Sequence, residues 1–275
     1  VQLGYLTHVA GHDRPAEVYR ETVELAVAAE ALGFASFWVA QHHGGAFGGL
    51  LPSPLVLLAA VAERTTTIRL GTAVIAAPLE NPRRLAEDAA VLEVLSGGRL
   101  NLGIGAGADT RASAAFGRDH AARHGDCIDV VDTLCALLEG EELVPGATGL
   151  RRRLWWATGS SAGVDAAAAR GIGVISGRPP DAPNSTVVDD LTRYWTCVVD
   201  DPRVAVSRLV HPGQRADQLA AAWSADPAMP WASELITQTQ PVWAGLTTQL
   251  HVMRMLAGEL APALTVLSGS SLVLT

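Results

Sequence analysis

One recurrence constrains this chain more than any other feature. A short, continuously apolar run is followed by a helix-start signal and then by apolar residues at helical spacing. Gln2 to Val9, Phe34 to Ala40, Thr67 to Ile75, Leu100 to Gly105, Leu154 to Thr158 and Ile172 to Ser176 are the runs. Strands this apolar on both faces suit a parallel sheet covered by helices. Asp13 with Pro15, Ser53-Pro54 and Asn81-Pro82 open helices in the same manner, a capping oxygen followed by a proline within the first turn. Further helices are expected over 121–138 and 160–170. After Gly177 the signal thins into Gly-Arg-Pro-Pro-Asp-Ala-Pro, a loop. Beyond it we expect a helical face over 187–198, a strand over 204–210, a helix over 216–223, a last strand over 235–238 and a last helix over 242–260. The tail after that carries no assignment. Eight alternations predict a closed (β/α)8 TIM barrel, one α/β domain over residues 1–275. A doubly wound open sheet shares the same local pattern, and periodicity does not separate the two.

Composition removes several functions. The net charge of −8 is spread along the chain, whereas a nucleic-acid binder needs a basic face. All 20 basic residues are arginine, so neither a P-loop lysine nor a Schiff-base lysine exists. Cys127, Cys135 and Cys197 are too few and too irregularly spaced for a zinc site or a disulfide framework. No apolar run approaches the roughly 18 residues of a membrane helix, and the first residues lack a secretory pattern. The expected location is cytoplasmic, with no membrane partner.

In a barrel, chemistry gathers at the C-terminal ends of the strands. Those ends carry His8, His42-His43, Ala73-Val74, Gly105-Ala106-Gly107, Thr158-Gly159-Ser160 and Ser176-Gly177-Arg178. A strand-end imidazole suits proton transfer near neutral pH. If the strand continues, His42 and His43 point to opposite sides, which disfavours a shared metal ion. His120 and His124 lack an acidic third ligand, and neither HExxH nor G-x-S-x-G is present. LGIGAGAD (102–109) lacks the third glycine of a dinucleotide fingerprint. TGSSAG (158–163) before an alanine-rich helix reads either as a serine N-cap or as an anion site. Local sequence leaves both open.

GFASFWVAQHH (33–43), ERTTTIRLGTAVIAAPLENPRRLAEDAAVLEVLSGGRLNLGIGAG (63–107) and WWATGSSAGVDAAAARGIG (155–173) together resemble the bacterial luciferase-like flavin-dependent monooxygenases. The match covers most of the first 175 residues and loosens beyond 180, where the C-terminal half is shortened. The resemblance implies reduced FMN supplied by a separate flavin reductase, reacting with O2 to a C4a-hydroperoxyflavin that oxygenates a small organic substrate. Some members use the deazaflavin F420 for hydride transfer, and a degenerate, non-catalytic flavin-binding partner subunit is the third reading. By position, His42 matches the catalytic histidine. Ala73 and Val74 match a non-prolyl cis peptide under the flavin ring, and Gly105 and Ala106 match further ring contacts. Gly159, Ser160, Ser161 and Gly163 match the phosphate loop. Two positions depart from the family: Gln41 stands where Glu is usual, and Ala106 stands where some relatives carry a phosphate-binding Arg. Arg178, or one of Arg151 to Arg153, is the substitute the resemblance leaves open, although the run at 151–153 read by itself is a solvated strand entrance with phosphate contact as the lesser alternative. The loop from Gly177 to Ser185 is the expected cover. A homodimer is expected through the apolar helices at 54–63 and 82–95.

Overall fold

Short parallel strands joined by helices can bury both faces only by closing on themselves or by lying between two helix layers, and here they close. The computed structural model describes residues 1–11, 14–147, 149–177 and 184–262, with the side chains of 184–186 outside the description. Its strands are β1 (Gln2–Thr7), β2 (Ser36–Val39), β3 (Arg69–Thr72), β4 (Ile75–Ala76), β5 (Leu100–Gly105), β6 (Leu154–Ala157), β7 (Gly173–Ser176), β8 (Val204–Val210) and β9 (Glu234–Thr239). All pair in parallel, in the order β3-β2-β1-β9-β8-β7-β6-β5-β4, and β3 also pairs with β5. That last pairing closes an eight-stave barrel whose third stave is β3 plus β4. The expected single strand over 67–75 is thus broken, and the break falls at Ala73–Val74, whose peptide bond is cis.

The helices are α1 (Pro15–Ala31), α2 (Pro54–Ala62), α3 (Pro82–Leu95), α4 (Thr110–Ala115), α5 (Arg123–Glu139), α6 (Ser161–Ala169), α7 (Asn184–Cys197), α8 (Ala216–Ser224) and α9 (Leu246–Met255). Asn81 caps α3 by accepting the amide of Arg84, as its sequence position predicts. Ser53 precedes α2 without a side-chain cap bond, so proline alone marks that start. Asp13 lies outside the described residues. The last helix begins at Leu246 rather than 242, because the amide of Ala244 closes a turn onto the carbonyl of Pro241. The short helix α4 has no apolar period long enough to announce it.

Two apolar clusters divide the molecule. The larger lies between strands and helices and takes one alternate set of strand residues, such as Tyr5, Phe37 and Val206. The other set fills the barrel: Leu6, Trp38, Trp155, Ile175, Ala205 and Ile236. Trp38 and Trp155 meet edge to face with centroids 5.9 Å apart. Trp38 fits only because Gly71 lies against its ring, where an added Cβ would sit 2.1 Å from Cε3. At the N-terminal end of the interior, Ser36 and Trp38 donate to the buried Glu234 carboxylate. Burial pushes that carboxyl above its ordinary range. Toward the opposite end the interior also holds the polar His8, Ser207 and Gln238, and that end carries the candidate site.

Candidate active site

His8 follows β1 and His42 follows β2 by three residues. Their rings stack with centroids 5.2 Å apart, and His8 Nδ1 lies 2.9 Å from His42 Nε2. His8 Nε2 lies 2.8 Å from Gln238 Oε1 on β9, and Gln238 Nε2 donates to Ser207 Oγ on β8 at 3.2 Å. Burial, reinforced by the neighbouring His8 and His43, lowers the His42 pKa from 6.5 to about 4, while Asp109 opposes the shift. Burial also lowers His8. Both imidazoles are therefore neutral at physiological pH, as a proton acceptor must be.

β2 ends at Val39, so the expected strand alternation does not extend to the two histidines. His42 and His43 border the same cavity of about 210 Å³, together with Phe47, Val74 and Ala112. His43 meets Phe116 at 4.7 Å between ring centroids, and its buried Nε2 has no partner among the described residues. Gly49 backs the His42 ring. Gln41 turns to other work: Oε1 accepts the amide of Ala76, and Nε2 donates to the Pro52 carbonyl and to Glu80. A carboxylate at position 41 would face Glu80 with no proton to offer, which gives the departure from the usual Glu a structural reason.

A second cavity of about 740 Å³ adjoins the first and shares Val74, Ala106, Gly107 and Ala108 with it. Glycine, alanine and serine make up much of its lining, with Trp156, Ile128, Arg123 and His124 as the large side chains. Gly105 is part of this floor, where an added Cβ would stand 3.0 Å from Val74 Cγ2. At its far end lie Thr158, Gly159, Ser160 and Gly163. Ser160 is the N-cap of α6, accepting the amide of Gly163 at 3.2 Å. The amides of Ser161 and Ala162 remain without an intrahelical acceptor, as the first turn of a helix requires. The cap reading and the anion reading are thus compatible.

The expected arginine substitutes fare differently. Arg151 to Arg153 precede β6 and so lie at the opposite end of the barrel. There Arg151 pairs with Glu139 and Arg153 with Glu93, which corrects the idea that one of them serves the α6 loop. Arg178 and most of the expected covering loop lie outside the described residues. Arg123 and His124, at the start of α5, border the large cavity instead. The sequence offered His124 only as a metal-ligand candidate and gave no sign of Arg123, because helix α5 shows only its apolar face as a pattern. Nor did it signal the His8–His42 contact, which is backed by Gln238 near the end of β9 and by Ser207 in the middle of β8. Among the described residues no cluster of metal-ligating side chains exists, and none of the helices is long and apolar enough to cross a membrane.

A family model for luciferase-like monooxygenases matches residues 2–259. The 4-hydroxyprotoasukamycin monooxygenase of Streptomyces nodosus subsp. asukaensis is 34% identical over 210 residues, which cover 70% of this chain and 56% of that protein. The F420-dependent glucose-6-phosphate dehydrogenase of Amycolatopsis mediterranei is 38% identical over 117 residues, covering 40% and 34%. The chain thus spans little more than half the length of the first relative and about a third of the second. The crystal structure of the monooxygenase RslO1 from Streptomyces bottropensis has the same fold, with a TM-score of 0.80 at 22% identity over 95% of this chain and 99% of that one.

Proposed function

Because the chain belongs to the luciferase-like monooxygenase family, we propose that it binds reduced FMN and oxygenates a small organic substrate with O2. The observation that carries this reading is the pair of joined cavities. One offers α6 amides without an intrahelical acceptor and is also bordered by Arg123, and the other offers the neutral imidazole of His42. The residues present fit a flat ring with a phosphate tail. Val74, Gly105 and Ala106 give a cradle of small side chains, and Gly159, Ser160, Ser161 and Gly163 give a helix start able to take an anion. When bound, reduced FMN would supply the electrons that activate O2 for transfer of one oxygen atom to the substrate.

The chain's own part is positional and acid–base. The α6 loop and Arg123 would hold the phosphate, in place of the arginine absent at Ala106. His42 would accept or return a proton at its uncoupled ring nitrogen. Phe47, Leu79 and Ala112 would keep bulk water from the smaller cavity. The reading includes a separate reductase as donor of reduced flavin, and a cytoplasmic location, which the three unpaired cysteines favour. It also includes a homodimer. Val56, Val91 and Leu95 are exposed around a groove between α2 and α3, Val56 to 74%, and Val94 is exposed on α3.

The relative named for F420 supports one alternative, hydride transfer from that deazaflavin at the same site. Anaerobic titration of the purified protein with reduced FMN and with reduced F420 separates the two. Tight binding of FMN, followed by a flavin spectrum that changes on admitting oxygen, is the expected result. Tight binding of F420 alone overturns the FMN reading. Replacing His42 with Ala is expected to cut oxygenation and leave FMN binding intact.

A further inference from the structure

His42 has two ring nitrogens, and the barrel treats them differently. Nε2 is engaged by His8 Nδ1 at 2.9 Å. Nδ1 has no hydrogen-bond partner among the described residues, and the ring borders the smaller cavity. Between two neutral imidazoles one nitrogen must donate and the other accept, so the contact alone leaves two arrangements open. The orientation of the Gln238 amide selects one of them, since Ser207 Oγ, which can donate or accept, would serve the reversed amide equally well. Gln238 directs its amide N–H2 to Ser207 Oγ and its carbonyl oxygen to His8 Nε2. A carbonyl oxygen can only accept, so His8 carries its proton on Nε2 and its Nδ1 is a lone pair. His42 must then donate from Nε2, and its Nδ1 is left unprotonated.

We infer that His8, oriented by Gln238 and Ser207, is a positioning residue that fixes His42 as the Nε2–H tautomer and leaves Nδ1 as its basic nitrogen. The inference rests on the proposed role of His42 in proton transfer, and it adds the tautomer and the side chains that set it. The lowered pKa values of both histidines agree with it, because a tautomer is defined only while both rings are neutral. When His42 takes a proton at Nδ1, its Nε2–H still points at the lone pair of His8. That proton can then pass to His8 Nδ1, which leaves His42 neutral with its proton on Nδ1. His8 is then the imidazolium, donating from Nε2 to the Gln238 carbonyl. The positive charge is shared across two rings, and no atom is gained or lost.

The test uses the unloaded protein with nitrogen-15-labelled histidine, the His42 signals being assigned by their loss in His42→Gln. The expected wild-type spectrum has a protonated Nε2 and an unprotonated Nδ1 on His42. His8→Phe and, separately, Gln238→Leu are expected to bring the two His42 signals toward each other as both tautomers become populated. His8→Asn, which keeps an acceptor at the position of Nδ1, is expected to restore the wild-type pattern. Turnover is expected to fall about tenfold in His8→Phe, the scale set by one ordinary hydrogen bond, and to recover in His8→Asn. A wild-type His42 protonated on Nδ1, or His42 signals unmoved in both His8→Phe and Gln238→Leu, overturns the inference. Expected spectra together with no turnover in any protein, wild type included, would support the positioning role and overturn the proposed oxygenation instead.

Discussion

Gly49→Ala tests the site geometry without removing any functional group. Gly49 has φ −74° and ψ 140°, a conformation any residue adopts, so alanine brings no backbone strain. Its Cβ, however, would stand 2.2 Å from His42 Cδ2, 2.4 Å from Cγ and 2.7 Å from Cβ. Ordinary carbon–carbon contact begins near about 3.5 Å, so the ring must retreat by about 1 Å. The 2.9 Å contact with His8 cannot survive that displacement. Misplacing a reacting group by about 1 Å is expected to lower single-turnover oxygenation about 100-fold. Overpacking of this kind costs about 1–3 kcal/mol of stability, which shifts the melting temperature by several degrees at most. The α6 loop lies elsewhere, so FMN affinity is expected to change little. Rapid mixing of reduced, flavin-loaded enzyme with oxygenated substrate measures the step, alongside a binding titration and a thermal melt. Turnover within about twofold of wild type would show that His42 can leave its observed position at no cost, refuting the argument that this position matters.

Three further outcomes are expected. Asp226→Ala leaves the guanidinium of Arg208, 4% exposed, without the carboxylate now 2.5 Å away, and also removes the acceptor for the amide of Ala228. Losing one partner of a buried pair costs about 3–5 kcal/mol, so a thermal melt should fall by about 10 °C, and an unchanged melt would contradict the burial argument. Below pH 6.5 the unfolded chain protonates His42 while the native site, with His8, His43 and Asp109 around it, resists until about pH 4. Native stability is therefore full above pH 6.5 and declines as pH falls through that window, by less than about 1.4 kcal/mol per unit because the site is open to solvent. Urea titrations at several pH values should show a shallower decline in His42→Gln, and identical slopes would exclude the shift. Val91→Asp with Val94→Asp puts two charges on the exposed face of α3 and, on the proposed dimer, is expected to leave only monomer in sedimentation with circular dichroism unchanged, whereas a monomeric wild type would refute that proposal.

The strand–helix alternation was legible in the chain because its determinants are local. Continuous apolar runs such as Leu100 to Gly105 demand cover on both faces, and Asn81-Pro82 sets a helix start with a named oxygen and a fixed φ. The glycine- and serine-rich loop before α6 was equally readable, since a first-turn amide needs a partner whatever surrounds it. Closure was not local. It depends on β3 reaching β5, a pairing that no periodicity encodes and that separates a barrel from an open sheet. The active-site chain was hidden for the same reason. His8, His42, Ser207 and Gln238 come from four staves and are separated by up to 230 residues within one contact, so only barrel closure brings them together. The arginines show the converse. Three in a row drew attention as a phosphate substitute, yet strand direction puts them at the wrong end, while a single Arg123 on a helix start borders the cavity. Sequence thus determined which elements form and which residues stand at the strand ends, because those are properties of neighbours along the chain. Which imidazole touches which, and which charge faces which cavity, follow from closure and register, and these exist only once the sheet has met itself.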